Sequence, residues 1–238
     1  MNYDWRWSVF LQPTLGGAMN YAELLLRGAG ITVVTAVLAW LIALSLGTLI
    51  GVLRTVPVRS LNAIARSYVE IFRNIPLLLQ LFLWYFVLPE LLPESAGNWL
   101  KALPHGSFYV AFIGLGFYTA SRVAEQIRSG IQSLPKGQTN AGLALGMSLP
   151  QVYRHVLVPR AYVTMLPTLT SEGLAIMKNT SVALTIGLAE LTAQARAMQE
   201  YSFHVFEAFS AATVMYFALN VVIVQFARLI ERRTAHLA

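Results

Sequence analysis

The sequence predicts an all-α integral membrane protein, and three observations predict it. Only 12% of the 238 residues are charged, against about 25% in water-soluble domains. Hydrophobic residues make up 56% of the chain, and the mean hydropathy is +0.59. The apolar runs are also far longer than the strands of a membrane barrel. With no water in the hydrocarbon to satisfy backbone groups, such runs must be helices.

The first span is predicted over Gly28 to Leu53, a stretch without charge bracketed by Arg27 and Arg54. Crossing takes about 20 residues, so this run crosses with some tilt. It is too long for a signal-peptide core, no small-residue cleavage site follows it, and Asp4 and Arg6 interrupt the extreme N-terminus. The helix is therefore expected to stay in the mature chain. Within it, Ala43, Gly47 and Gly51 form a ladder of small residues that admits a neighbouring backbone closely but does not say which one.

After this span, Arg59, Asn62, Arg66, Glu70 and Arg73 recur at three- and four-residue spacing opposite Leu61, Ile64, Ala65, Tyr68 and Phe72. The pattern predicts an amphipathic helix leading into the second span from the cytoplasmic interface, its polar face turned to water, lipid headgroups or a partner. The second apolar run extends from Asn74 to Pro89, the third from about Phe108 to Ser121 and the last from Ala208 to Ala227. Between the third and the last, Val163 to Ala189 is apolar but interrupted by Glu172 and Lys178. One span with a short outer segment fits it, and so do two short crossings.

About five spans place the termini on opposite sides. Twelve Lys and Arg fall in one set of connecting segments and five in the other, and the richer set is expected in the cytoplasm. The N-terminus is then outside and the C-terminus inside. This bias accounts for the net charge of +6 and the pI near 9.8 without any nucleic acid. The expected organisation is an external segment over residues 1–27, a transmembrane domain over 28–233 with a cytoplasmic loop at about 129–160, and a tail over 234–238.

Several chemistries are excluded. The absence of cysteine removes disulfides, thiolate metal sites and a cysteine nucleophile. His105, His155, His204 and His236 are far apart, with no i,i+4 pair of the kind that holds a metal on a helix, and read as surface or loop residues. No H-E-x-x-H, G-x-S-x-G or G-x-x-x-x-G-K-S/T pattern occurs, so neither a catalytic centre nor a nucleotide site is expected in this chain.

The longest cytoplasmic stretch runs from Arg128 to Arg160, and Ala141, Leu143, Ala144, Leu145 and Met147 predict a short helix ended by Gly146 and Pro150. Small and apolar side chains exposed on such a loop need a partner to cover them. Here the sequence resembles a known family. Asn140-Ala-Gly-Leu-Ala-Leu-Gly146, with Leu149-Pro150 and Val158-Pro159, is similar to the E-A-A-x-A-L-G coupling loop of ABC importer permeases, departing from it at Asn140 and Gly142. Three further stretches resemble the polar amino-acid branch. Arg73-Asn-Ile-Pro-Leu-Leu-Leu-Gln80 matches R-x-x-P-L-L-x-Q. Ala124-Glu125 with Arg128, Gly130-Ile-Gln-Ser133 and Lys136-Gly-Gln138 matches the third span and its exit. Lys178-Asn-Thr-Ser181 matches K-D-T-S. Trp5 to Phe10, Leu53 to Pro57 and Val87 to Glu94 look most like glutamate/aspartate permeases.

The resemblance implies the type I importer fold and docking of an ATPase dimer on Asn140, Ala141, Gly142, Leu143, Ala144, Leu145 and Gly146. It also implies a second permease, an external amino-acid-binding protein, ATP and Mg on the ATPase subunits, and rigid-body alternating access. A permease for neutral or basic polar amino acids is the nearest alternative. An ion-coupled secondary transporter suits intramembrane Glu125 and Glu172, but no inverted repeat is evident.

Charges inside a span require a reason, since each costs about 2.5–3.5 kcal/mol at the centre of a helix. Arg122 and Glu125, three residues apart, can pair within one helix, and a purely structural ion-pair network is one reading. The other is an anionic substrate. An acidic amino acid brings two carboxylates and one ammonium, which Arg122 and Lys178 would meet with positive charge and Glu172 with negative, unless Glu172 simply pairs with Lys178. Asn179 stands where the family has Asp and removes a charge that would repel an acidic ligand. Gln80, Thr180 and Ser181 join the substrate candidates through the motifs that carry them.

Overall fold

The computed structural model describes residues 3–234, so His236 and the tail beyond Thr234 lie outside the described residues. A short 3-10 helix, Trp7–Leu11, precedes α1 (Tyr21–Leu53) and α2 (Arg59–Asn74). Then come α3 (Leu77–Phe82), α4 (Leu88–Leu91), α5 (Glu94–Lys101) and α6 (Gly106–Ser133). Next are α7 (Lys136–Ala144), α8 (Leu149–Val152) and α9 (Val158–Asn179), which runs into a 3-10 segment, Thr180–Ile186. The last are α10 (Leu191–Ser202) and α11 (Val205–Thr234). Among the described residues there is no strand, and the one isolated bridge joins Pro13 to Asn20.

By length and composition, α1 and α11 each suffice to cross a bilayer alone, and two bent helix pairs raise the number to four. α6 has 28 residues, long enough to cross, but Arg122, Glu125 and Arg128 lower its apolar content. The helix boundaries depart from the sequence-based ones where proline acts. Asn74 closes α2 instead of opening the second span, because Ile75 is extended ahead of Pro76 and a residue before proline avoids the helical region. Pro150, expected to end a helix, sits in the first turn of α8 behind a Ser148–Gln151 capping box, where its missing N–H costs nothing.

Two more prolines are accommodated by π turns. The Leu88 N–H bonds to the Leu83 carbonyl, and the Val158 N–H to the Tyr153 carbonyl, five residues back instead of four. Pro89 and Pro159 follow directly. Neither has an N–H to donate, and the ring of each would crowd the carbonyl four residues back. The wider turn absorbs one extra residue just before each proline.

The chain forms two compact units. The first comprises Met1–Leu38, Leu77–Leu115 and Met177–Val222. Its core gathers Val9, Tyr21, Leu25, Leu191, Ala195, Met198 and Ala208. Gly28 lets α1 meet α10 closely, since a Cβ there would lie 2.9 Å from the Leu191 Cα. Thr32 Oγ1 accepts the Leu191 N–H at 3.1 Å. Buried Glu190 caps α10 through the Ala193 N–H at 2.8 Å and accepts the Tyr216 hydroxyl at 2.6 Å.

The second unit comprises Ala39–Pro76, Gly116–Ile176 and Ile223–Ala238. Its main core holds Ala43, Val123, Ile127, Val152, Leu157, Ala161 and Leu169. The small-residue ladder finds its partner here, in α6. A Cβ on Gly47 would stand 2.7 Å from the Val123 Cβ, and one on Gly51 2.8 Å from the Ala124 carbonyl oxygen. In lipid, where apolar burial between helices gains little, such close backbone packing is what holds helices together. A smaller cluster of Ile50, Ala65, Val69 and Ala124 seats α2.

Candidate functional site

The predicted docking loop is helical from Lys136, one turn earlier than its apolar pattern suggested, and α7 ends in a Schellman motif. Met147 N–H bonds to the Gly142 carbonyl at 3.1 Å and Gly146 N–H to the Leu143 carbonyl at 3.0 Å. Gly146 takes the left-handed conformation, φ +83°, which glycine adopts without penalty. Asn140, Ala141, Leu143, Ala144, Leu145 and Gly146 are exposed, and Leu145 is 83% exposed. Gly142 faces the other way, and a Cβ there would come within 2.9 Å of Val152 Cγ2. The departure from the family pattern at Gly142 thus lets α7 lie close to the helix that follows. The two leucines form an apolar knob held on a rigid cap.

Arg122 does not pair with Glu125. Its Nε donates to Glu172 Oε2 at 2.8 Å, from α6 to α9, and Gln126 Nε2 donates to the other carboxylate oxygen at 3.1 Å. Glu172 is correspondingly held by Arg122 and Gln126 and is not paired with Lys178. The two sides of the pair differ in surroundings. The Glu172 side chain is 10% exposed, whereas that of Arg122 is 45% exposed. The carboxylate fixes the guanidinium by its Nε edge and leaves nearly half of the Arg122 side chain exposed.

Glu125 is the centre of a separate cluster. It accepts from Arg54 at the end of α1 and from Arg128 one turn along α6, and Arg73 of α2 approaches within 3.8 Å. Arg128 also donates to Gln132. The spacing of Glu125 and Arg128 was visible in the sequence. The convergence of Arg54 and Arg73 on the same carboxylate, and the part played by Gln126, were not.

The remaining candidates belong to the first unit. Lys178 is exposed and Asn179 half-buried at the end of α9. Thr180 is buried, its hydroxyl donating to the Met177 carbonyl at 2.8 Å, and Ser181 donates to the Lys178 carbonyl at 2.7 Å. Together they turn α9 into the 3-10 segment, which closes at left-handed Gly187. Gln80 is buried in α3, a helix packed against that segment. His105 and His155 are exposed, and His204 Nδ1 lies 2.6 Å from the Ser202 carbonyl. Among the described residues no group of acidic side chains and histidines could hold a metal.

Residues 43–236 match the family described as binding-protein-dependent transport system inner membrane component. The Escherichia coli K12 glutamate/aspartate import permease protein GltJ is 45% identical over 236 residues, covering 98% of this chain and 96% of the relative. The glutamine transport system permease protein GlnP of the same organism is 34% identical over 210 residues, 88% and 92% of the two chains. Among solved structures, an amino acid ABC transporter crystallised with histidines has a TM-score of 0.75 at 30% identity, covering 90% of this chain and 95% of that one. The inward-facing MetNI methionine ABC transporter, at a TM-score of 0.74 and 20% identity over 89% and 96%, supports the fold alone. With helices long enough to span, an exposed loop helix and these similarities over nearly its whole length, the chain belongs to the inner-membrane components of binding-protein-dependent transport systems.

Proposed function

We propose that this permease carries acidic amino acids, glutamate or aspartate, inward across the cytoplasmic membrane. A binding protein delivers the substrate on the outside, and a dimer of ATPase subunits, carrying ATP and Mg, drives transport from within. A second, related permease completes the pathway, with the N-terminus outside and the C-terminus in the cytoplasm. The observation that carries the reading is the 45% identity to the glutamate/aspartate permease over 98% of the chain. The charges are consistent with it. Arg122, held by Glu172 but still accessible, offers a guanidinium to a carboxylate. In the other unit, Lys178 is an exposed cation beside the uncharged Asn179. The exposed Leu143 and Leu145 of α7 are the surface an ATPase cleft would cover.

The test is reconstitution of the complete complex in proteoliposomes, with uptake of labelled glutamate, glutamine and arginine measured with and without ATP on the ATPase side. ATP-dependent glutamate uptake, competed by aspartate and weakly by the other two, is the expected result. Preference for glutamine or arginine would shift the assignment to a permease for neutral or basic substrates, and uptake without ATP would remove the importer reading.

A further inference from the structure

We propose that α2 lies in the headgroup layer of the membrane and that Arg59 and Arg66 form a binding site for the phosphate of anionic phospholipids. The proposal needs only that α6 spans the bilayer. By the orientation proposed above, the layer is the cytoplasmic one.

Three observations place α2 there. First, it crosses α6 instead of running along it. Ala65 and Val69 pack in one cluster with Ile50 and Ala124, and Arg73 approaches the adjacent Glu125 at 3.8 Å. From Ala65 to Arg73, about 12 Å of helix, one stripe of α2 passes beside Ala124 and Glu125, while the adjoining stripe, Tyr68 and Phe72, meets Phe117, whose carbonyl accepts the Tyr68 hydroxyl at 2.8 Å. Asn62 meanwhile donates to the Arg54 carbonyl at 2.6 Å, at the C-terminal end of α1. α6 carries no charge from Gly106 to Ser121 and is charged from Arg122 onward, so a helix lying across α6 at this boundary and across the end of α1 lies in the plane of the interface.

Second, its outer surface is divided as an interface requires. Ile64 and Ile71 are 69% and 55% exposed, close together on one side at helical spacing. Arg59 and Arg66 are also exposed, and they sit about 140° around the helix from the isoleucines. Ser60, Ser67 and Asn74 occupy the strip between. Two large aliphatic side chains open to water would be costly, but turned toward acyl chains they are at home, and the arginines then reach phosphates at the edge of the same layer.

Third, the charge around the helix suits an anion. Arg54, Arg59, Arg66, Arg73 and Arg128 surround Glu70 and Glu125, the latter already shared among three of the arginines. Glu70 offsets Arg66 only weakly, at 3.6 Å. A hollow of about 580 Å³, lined by Val56, Pro57, Arg59, Asn62 and Arg66, opens beside the two exposed arginines and is wide enough to seat a headgroup.

The absence of cysteine allows clean labelling. With the complete complex in nanodiscs and cysteine-free partners, a nitroxide on Ile64→Cys should be reached by oxygen and not by an aqueous nickel chelate. Shielding from both would mean that a protein covers this face, and access to the chelate would mean that water does. Either result overturns the proposal. Spin-labelled phosphatidylglycerol should associate with the wild-type complex more strongly than spin-labelled phosphatidylcholine. That preference should fall about five-fold for each arginine neutralised in Arg59→Gln and Arg66→Gln, and it should survive in the double Lys variant. Equal association of the two lipids, or a preference unchanged in the double Gln variant, would also overturn it. Neither measurement involves a transported substrate, so the proposal stands or falls separately from the substrate assignment.

Discussion

Replacing Arg122 with phenylalanine and Glu172 with glutamine, singly and together, separates a structural ion pair from a substrate contact. The single Arg122→Phe change leaves Glu172, with a side chain 10% exposed, holding only the Gln126 amide at 3.1 Å. Breaking a fully buried pair costs roughly 3–5 kcal/mol. Because the Arg122 side chain is 45% exposed, solvent screening reduces this to on the order of 2 kcal/mol. The thermal midpoint of the complete complex should fall by several degrees. In the double variant the uncharged amide that replaces the Glu172 carboxylate no longer needs a cation, and most of that loss should be recovered. Uptake should behave differently. A carboxylate gripped by the guanidinium fork makes two charge-assisted hydrogen bonds of about 1.5–3 kcal/mol each, so their loss lowers glutamate uptake at limiting substrate by about 100-fold or more. Proteoliposome uptake with subsaturating loaded binding protein, set beside thermal unfolding of the same preparation, reads both quantities. A double variant that regains stability and also transports glutamate at the wild-type rate would refute the substrate role of Arg122 and leave it a helix tie.

Other substitutions probe the remaining features. Leu145→Asp, at a position 83% exposed, should abolish co-purification of the ATPase subunits while leaving the unfolding profile of the permease unchanged. Gly51→Leu places a side chain where a Cβ alone would already lie 2.8 Å from the Ala124 carbonyl oxygen. Overpacking of this kind costs about 1–3 kcal/mol, and thermal unfolding should show it as a lowered midpoint. Asn179→Asp should reduce uptake of acidic amino acids several-fold more than uptake of a neutral one, as competition assays would measure, whereas equal losses would remove the electrostatic argument for this residue.

The sequence revealed the features that depend on local order. Apolar length located the spans, the three- and four-residue spacing of Arg59, Asn62, Arg66 and Glu70 gave α2 almost to the residue, and the Leu-Gly pair of Leu145 and Gly146 marked the end of α7. It did not reveal partners that meet only in three dimensions. Arg122 and Glu125 share a helical face and so suggested a pair with each other. Glu172, fifty residues away in sequence, is the group the fold brings to Arg122, and no periodicity encodes that meeting. The ladder of Ala43, Gly47 and Gly51 announced a close approach, yet only the fold identifies α6 as the neighbour. Proline was ambiguous for a different reason. Pro150 begins a helix, Pro76 follows a break, and Pro89 and Pro159 are carried through by a wider turn, so the same residue type produced three outcomes set by the bonds available around it.

The wider turns have a consequence for comparing relatives. One additional residue in a helical turn swings everything beyond it by about 100° about the axis. Between α8 and α9 the added residue falls within Tyr153–Leu157, so it sets the angular phase with which α9 presents Glu172 to Arg122. A homologue lacking one residue in that window would offer a different stripe of α9 to α6 even if every other position were conserved. An alignment of this segment is therefore sound only when its gap is placed inside the π turn.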